Sequence, residues 1–134
     1  MKIFRFDKEV GAKITKYNSD LAIYTRIIKT SEPSILGCMY IEPNGVVGYH
    51  EAPVPQLFLV VQGEGWVTGE DRKRIFVKRG ECVFWEKGEW HESGSDEGMA
   101  AIVIQSETLN PESFMRLKQQ SKSVSSSANG YKMK

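Results

Sequence analysis

The chain has 134 residues, the length of one ordinary domain, with 40% hydrophobic and 26% charged residues. Lys and Arg number 18 against 17 Asp and Glu, a formal net charge of +1, which speaks against nucleic acid or an anionic membrane surface as partner. The charge is unevenly placed: residues 121–134 hold Lys122, Lys132 and Lys134 and no acid, so this stretch is +3 and the remaining body, with 15 bases against 17 acids, is −2. No run approaches the roughly 18 apolar residues of a membrane span. No leading apolar stretch with a small-residue cleavage site is visible. Cys38 and Cys82 are too few and too far apart for a disulfide framework, and two reduced cysteines suit a cytoplasmic protein.

In chain order, Ile3, Phe4 and Phe6 alternate poorly but can add an edge strand to this body or to a partner's. Leu21–Lys29 mixes apolar, β-branched and aromatic residues and predicts a strand. Ser34–Ile41 predicts another, closed by the turn chemistry of Glu42-Pro43-Asn44-Gly45. Val46–His50 follows. Gln56–Gln62 is the most apolar run and predicts a central, buried strand. Gly63-Glu64-Gly65 predicts a turn into Trp66–Thr68, and Gly69-Glu70-Asp71 a hairpin turn into Arg72–Val77. Cys82–Trp85, Trp90–Ser93 and Met99–Ser106 complete the strands. Even spacing with Gly-rich turns indicates an all-β sandwich or barrel. Asn110 as N-cap and Pro111 at the first position predict a short helix to about Gln120. Residues 121–134, with five serines and no periodicity, read as a disordered tail, leaving 1–120 as the single domain.

The only two histidines lie in a patterned context. The segment from Gly45 to Gly63 carries His50, then Ala52, then Gln56, with Gly63 after six further residues. The segment Gly80-Glu81-Cys82-Val83-Phe84-Trp85-Glu86-Lys87-Gly88-Glu89-Trp90-His91 spaces Gly80, Gly88 and His91 in a second pattern. Together these resemble the two signatures of the cupin family, over about residues 34–106. The departures are Ala52 at the second histidine position, Gln56 at the glutamate position and Glu86 at a proline position. The resemblance implies a double-stranded β-helix, or jelly roll, in one barrel.

Strand geometry agrees. Residues two apart share a face, so His50 and Ala52 face one way, as do Gln56, Phe58, Val60 and Gln62. A barrel of roughly eight strands is just wide enough for side chains or one small ligand. By carry-over, His50, Gln56 and His91 would hold a divalent metal (Zn, Ni, Fe or Mn), and Ala52 cannot. Phe58, Tyr40 and Cys38 are expected to line the pocket.

Two imidazoles and a carboxamide put no negative charge on an ion, so oxygen activation is less favoured than polarising a carbonyl or binding an anion. The function classes left open are a metal-dependent isomerase, lyase or oxygenase, a metal-free module binding a small molecule, and a structural scaffold. Glu51 is turned outward by strand alternation, and Glu86, Glu89 and Glu92 lie in or near a turn. The family resemblance implies a homodimer.

Overall fold

A computed structural model describes residues 1–118; residues 119–134, including the end of the expected helix and the whole expected tail, lie outside the described residues. The described residues form eleven strands: β1 (Lys2–Arg5), β2 (Ala12–Lys13), β3 (Ile23–Tyr24), β4 (Ser34–Ile41), β5 (Gly45–Glu51), β6 (Gln56–Thr68), β7 (Ile75–Lys78), β8 (Glu81–Trp85), β9 (Trp90–Ser95), β10 (Met99–Ser106) and β11 (Arg116–Leu117). All pairings are antiparallel. One face of the body has the order β11-β1-β8-β6-β10-β4, and the other joins β5, β9, the far half of β6, and β7. β2 and β3 form a separate hairpin. No helix among the described residues is long and apolar enough to cross a membrane.

The strand β6 connects the two faces. Its first half pairs with β8 and β10, and its second half pairs with β7 and β9. The Gly63-Glu64-Gly65 stretch, expected to be a turn between two strands, is instead a corner within one 13-residue strand. Glycine makes the corner possible. Gly63 has φ +76, and a Cβ there would lie 2.2 Å from the Gly98 carbonyl oxygen. Such a backbone approach admits no side chain.

Alternation along β6 sorts its apolar run into two cores. Phe58 and Val60 turn inward and join Val67, Val77, Val83, Trp85, Met99 and Ala101 between the faces. Leu57 and Leu59 turn outward and join Phe4, Cys82, Phe84, Ile104, Leu109 and Met115. Ile27, Ile28 and Phe6 cover this second layer. Each fully buried side chain of this size contributes about 1.5–3 kcal/mol.

Two sequence expectations need correction. The strand expected over Leu21–Lys29 shrinks to Ile23–Tyr24, because Ile27 and Ile28 cap the outer core from irregular chain. The helix expected from Asn110 is a single 3-10 turn, Pro111–Ser113, followed by the two-residue strand β11. Asn110 makes no side-chain capping bond. Met115 is drawn into the outer core, and Leu117 pairs with Phe4 of β1. Tertiary burial and a ladder outweigh a helix of about three turns, which is marginal on its own. The N-terminal segment does supply a strand to its own sheet, pairing with β8 and β11.

Candidate functional site

The two histidines meet. β5 and β9 pair so that His50 lies directly opposite His91, with ring centroids 4.3 Å apart and planes tilted by 55°. His91 is buried at 2% exposure, whereas His50 is exposed at the rim. Both rings have the same hydrogen-bond arrangement. His50 Nδ1 lies 2.7 Å from the Gly48 carbonyl oxygen, and His91 Nδ1 lies 3.2 Å from that of Glu89. A carbonyl only accepts, so each Nδ1 carries a hydrogen, and in the neutral ring the lone pair then sits on Nε2. Nε2 of His91 is buried with no hydrogen-bond partner among the described residues.

The surroundings favour the neutral form of His91. Burial pushes its pKa below the usual imidazole value, and the nearby His50 adds to this; the Glu89 carbonyl and carboxylate oppose it. The ring stacks on Trp85 at 4.2 Å between centroids and 25° between planes. Trp85 is anchored by donating its indole N–H to the Thr68 carbonyl at 3.1 Å, and Phe58 meets it edge-on at 5.8 Å.

Gln56 lies across from both Trp85 of β8 and Gln105 of β10. Gln105 Nε2 donates to Gln56 Oε1 at 3.1 Å. That bond orients the Gln56 amide and leaves its oxygen one lone pair, the arrangement by which outer residues aim a ligand at a metal.

These residues line a cavity of about 260 Å³ together with Gly37, Cys38, Met39, Val47, Phe58, Ser93 and Val103. No strand ladder joins β4 to β5 among the described residues, and the cavity lies along that seam. A larger depression of about 1120 Å³ lies at the opposite, β11 edge of the sheet. Its lining includes the Arg5–Asp7 and Lys118–Glu81 ion pairs together with Lys8, Lys78, Arg79 and Arg116, and it contains neither histidine.

Four expected site residues, His50, Gln56, His91 and Phe58, come together in the cavity, and Cys38 lies at its edge. Tyr40 does not: it is 71% exposed and outside the lining. Its partner on β10 is Ala100, whereas the inward residues of β4 are those opposite Ala101 and Val103. Ala52 is buried in the inner core at 1% exposure and is not among the residues that line the cavity. Sequence reasoning missed Gln105 and Trp85. Gln105 shares the parity of Val103 and Ala101, which was the available signal. No group of three or more His, Cys, Asp or Glu side chains that could hold a metal ion is present among the described residues.

Residues 37–105, just over half of the chain, match the family described as Cupin domain. The chain belongs to the cupin family. A search of curated proteins returned no match. Among solved structures, this cupin is similar to a cupin superfamily protein from Desulfitobacterium hafniense, with TM-score 0.52 and 15% identity over 66% of this chain and 80% of the other. It is similar to a cupin-like protein from Thermotoga maritima, with TM-score 0.53 and 19% identity over 56% and 58%. It is also similar to a predicted oxalate decarboxylase from Thermotoga maritima, with TM-score 0.50 and 20% identity over 54% and 64%. The matched part thus spans less than two thirds of either Thermotoga protein. At these identities the likeness establishes the fold.

Proposed function

We propose that this cupin binds a small organic molecule in the β4–β5 cavity, with a divalent metal held by His50, His91 and Gln56. The observation that carries the reading is the unpartnered, buried Nε2 of His91 beside a second imidazole of the same tautomer. A buried acceptor left unsatisfied costs about 1–3 kcal/mol, so the arrangement favours an occupant that takes its lone pair. When bound, such an ion supplies Lewis acidity toward a carbonyl or an anion. The chain's own residues do the rest: Trp85 and the two carbonyls fix the rings, Gln105 orients Gln56, and Phe58, Val47 and Val103 exclude water. Isomerase or lyase chemistry fits this neutral donor set better than oxygenase chemistry. The test is thermal stabilisation by Ni(II) or Zn(II). The native chain should be stabilised, and His50→Ala and His91→Ala should not. Equal stabilisation of all three would contradict the assignment.

A second reading rests on the Gln56–Gln105 bond and the Trp85–His91 stack, which already satisfy much of the cluster internally. In it, the cavity is a metal-free binding or sensing site, and a ligand N–H or O–H pairs with His91 Nε2. Ligand-dependent stabilisation that persists in the presence of a chelator would select this reading.

The same proposal includes a homodimer formed along β4, which pairs with β10 on one side only. Its eight residues carry no charge, and Ile35, Leu36 and Tyr40 are exposed. Two copies of such an edge can pair without like-charge repulsion. A cytoplasmic location, with both cysteines unpaired, belongs to this reading too.

A further inference from the structure

The depression at the β11 edge concentrates positive charge. Six bases and three acids line its volume of about 1120 Å³, a local charge of +3 on a body that is −2 over residues 1–120. All three acids are already engaged. Asp7 and Glu9 both pair with Arg5, and Glu81 pairs with Lys118 at 2.7 Å. Lys8, Lys78, Arg79 and Arg116 form no ion pair among the described residues. Residues 119–134 contain no Asp or Glu, so no side chain there can neutralise them. The four cations come from three segments: the 3-10 turn Lys8–Val10, the end of β7 with its turn into β8, and β11. The backbone beneath them is fixed. The Phe6 N–H donates to the Gly80 carbonyl at 2.8 Å, the Gly80 N–H to the Val60 carbonyl at 2.9 Å, and the Arg79 N–H to the Gly63 carbonyl at 3.1 Å. The buried Glu81 accepts the Lys78 N–H besides pairing with Lys118, so it ties the β7–β8 turn to the residue that follows β11. Unpaired cations around one depression repel one another, and a bound anion relieves this.

We propose that this depression is a second binding site, separate from the barrel cavity, for a small organic di- or triphosphate. A simple monoanion offsets little of the charge of four free cations. A chain of phosphates carries charge along its length and meets cations from different segments at once. Guanidinium groups suit phosphate oxygens bidentately, and Arg79 and Arg116 supply two of them. Phe6, Val61 and Leu117 add apolar surface to the lining, which the organic part of such an ester can cover. The near-zero charge of the whole chain speaks against a nucleic acid, whereas a small polyphosphate needs only the local field. The site uses neither histidine, so it stands whether or not the barrel holds a metal.

The test is calorimetric titration of the 134-residue chain at low ionic strength without magnesium, with adenosine triphosphate, adenosine monophosphate and citrate as probes. The triphosphate should bind about tenfold or more tighter than either of the others, and its binding should weaken as salt is raised. Arg79→Ala combined with Arg116→Ala should weaken triphosphate binding about tenfold or more. Lys87→Ala, in the exposed turn before β9 and outside the depression, should leave it within about twofold. Lys122→Gln with Lys132→Gln and Lys134→Gln, which removes the basic charge of the C-terminal stretch, should also leave it within about twofold. If the arginine double variant does not fold, Lys8→Ala with Lys78→Ala, at two exposed positions, repeats the test at the other free cations. No binding of the triphosphate overturns the inference. Citrate or the monophosphate binding as tightly as the triphosphate overturns it too, as does a loss in the C-terminal variant equal to that in the depression variants.

Discussion

His91 is where residue chemistry and fold meet most closely. Its ring is buried, stacked on Trp85 and held below the usual imidazole pKa by that burial and by His50. Folding therefore favours the neutral ring. Above the ordinary value of about 6.5 the ring is neutral in both states, and stability does not depend on it. As pH falls through that value the unfolded chain takes up a proton that the folded chain resists, so stability declines. The urea midpoint of the metal-free chain should fall from about pH 7 to about pH 5, more steeply than in His91→Gln. Equal slopes would mean that His91 is not the group responsible. The cysteines offer a second check. Cys82 is buried in the outer core, and burial pushes its pKa to about 12, whereas Cys38 is exposed. A thiol reagent at neutral pH should modify one cysteine per chain quickly and the other only on unfolding. Rapid modification of both would contradict the placement of Cys82.

At the level of elements, β6 was only half legible. Its first run, Gln56–Gln62, announces itself by apolar content and alternation. Its continuation through Gly63-Glu64-Gly65 does not, because glycines at a turn and glycines at a strand corner look alike in sequence. The difference lies in the approach of the Gly98 backbone, which pairing alone reveals. Gly63→Ala combines strain at φ +76 with a contact that must shift, so it should cost upwards of about 1–3 kcal/mol in urea unfolding. Gly37→Ala, where nothing lies within 4 Å of the added carbon, should stay within about 0.5–1 kcal/mol of the native chain. A similar loss for both would refute the corner account. The same limit hid Gln105. Its inward parity could be read, but its position opposite Gln56 depends on a β10–β6 register that includes a bulge at Ala100/Ala101. Tyr40 failed for the reverse reason, since an aromatic on a strand carries no label saying which face is inside. β4 and β10 were read to their final residues, because turn chemistry and polar loops bound them.

Across the whole molecule, the cupin barrel was legible because two spaced motifs place the two histidines on neighbouring strands, and β5–β9 pairing brings them face to face. What the spacing could not show was the charge balance of the cavity, which depends on every residue facing inward. The uncharged β4 edge bears on assembly. Sedimentation should find a dimer, and Leu36→Lys combined with Tyr40→Glu should yield a folded monomer. A native monomer at micromolar concentration would remove the β4 interface from the account. The most direct test of the central claim is the metal content of native protein purified without chelator, beside His50→Ala and His91→Ala. The account predicts about one equivalent of a first-row divalent metal per chain, lost in both variants. Less than about a tenth of an equivalent in the native chain, or unchanged content in the variants, would contradict it.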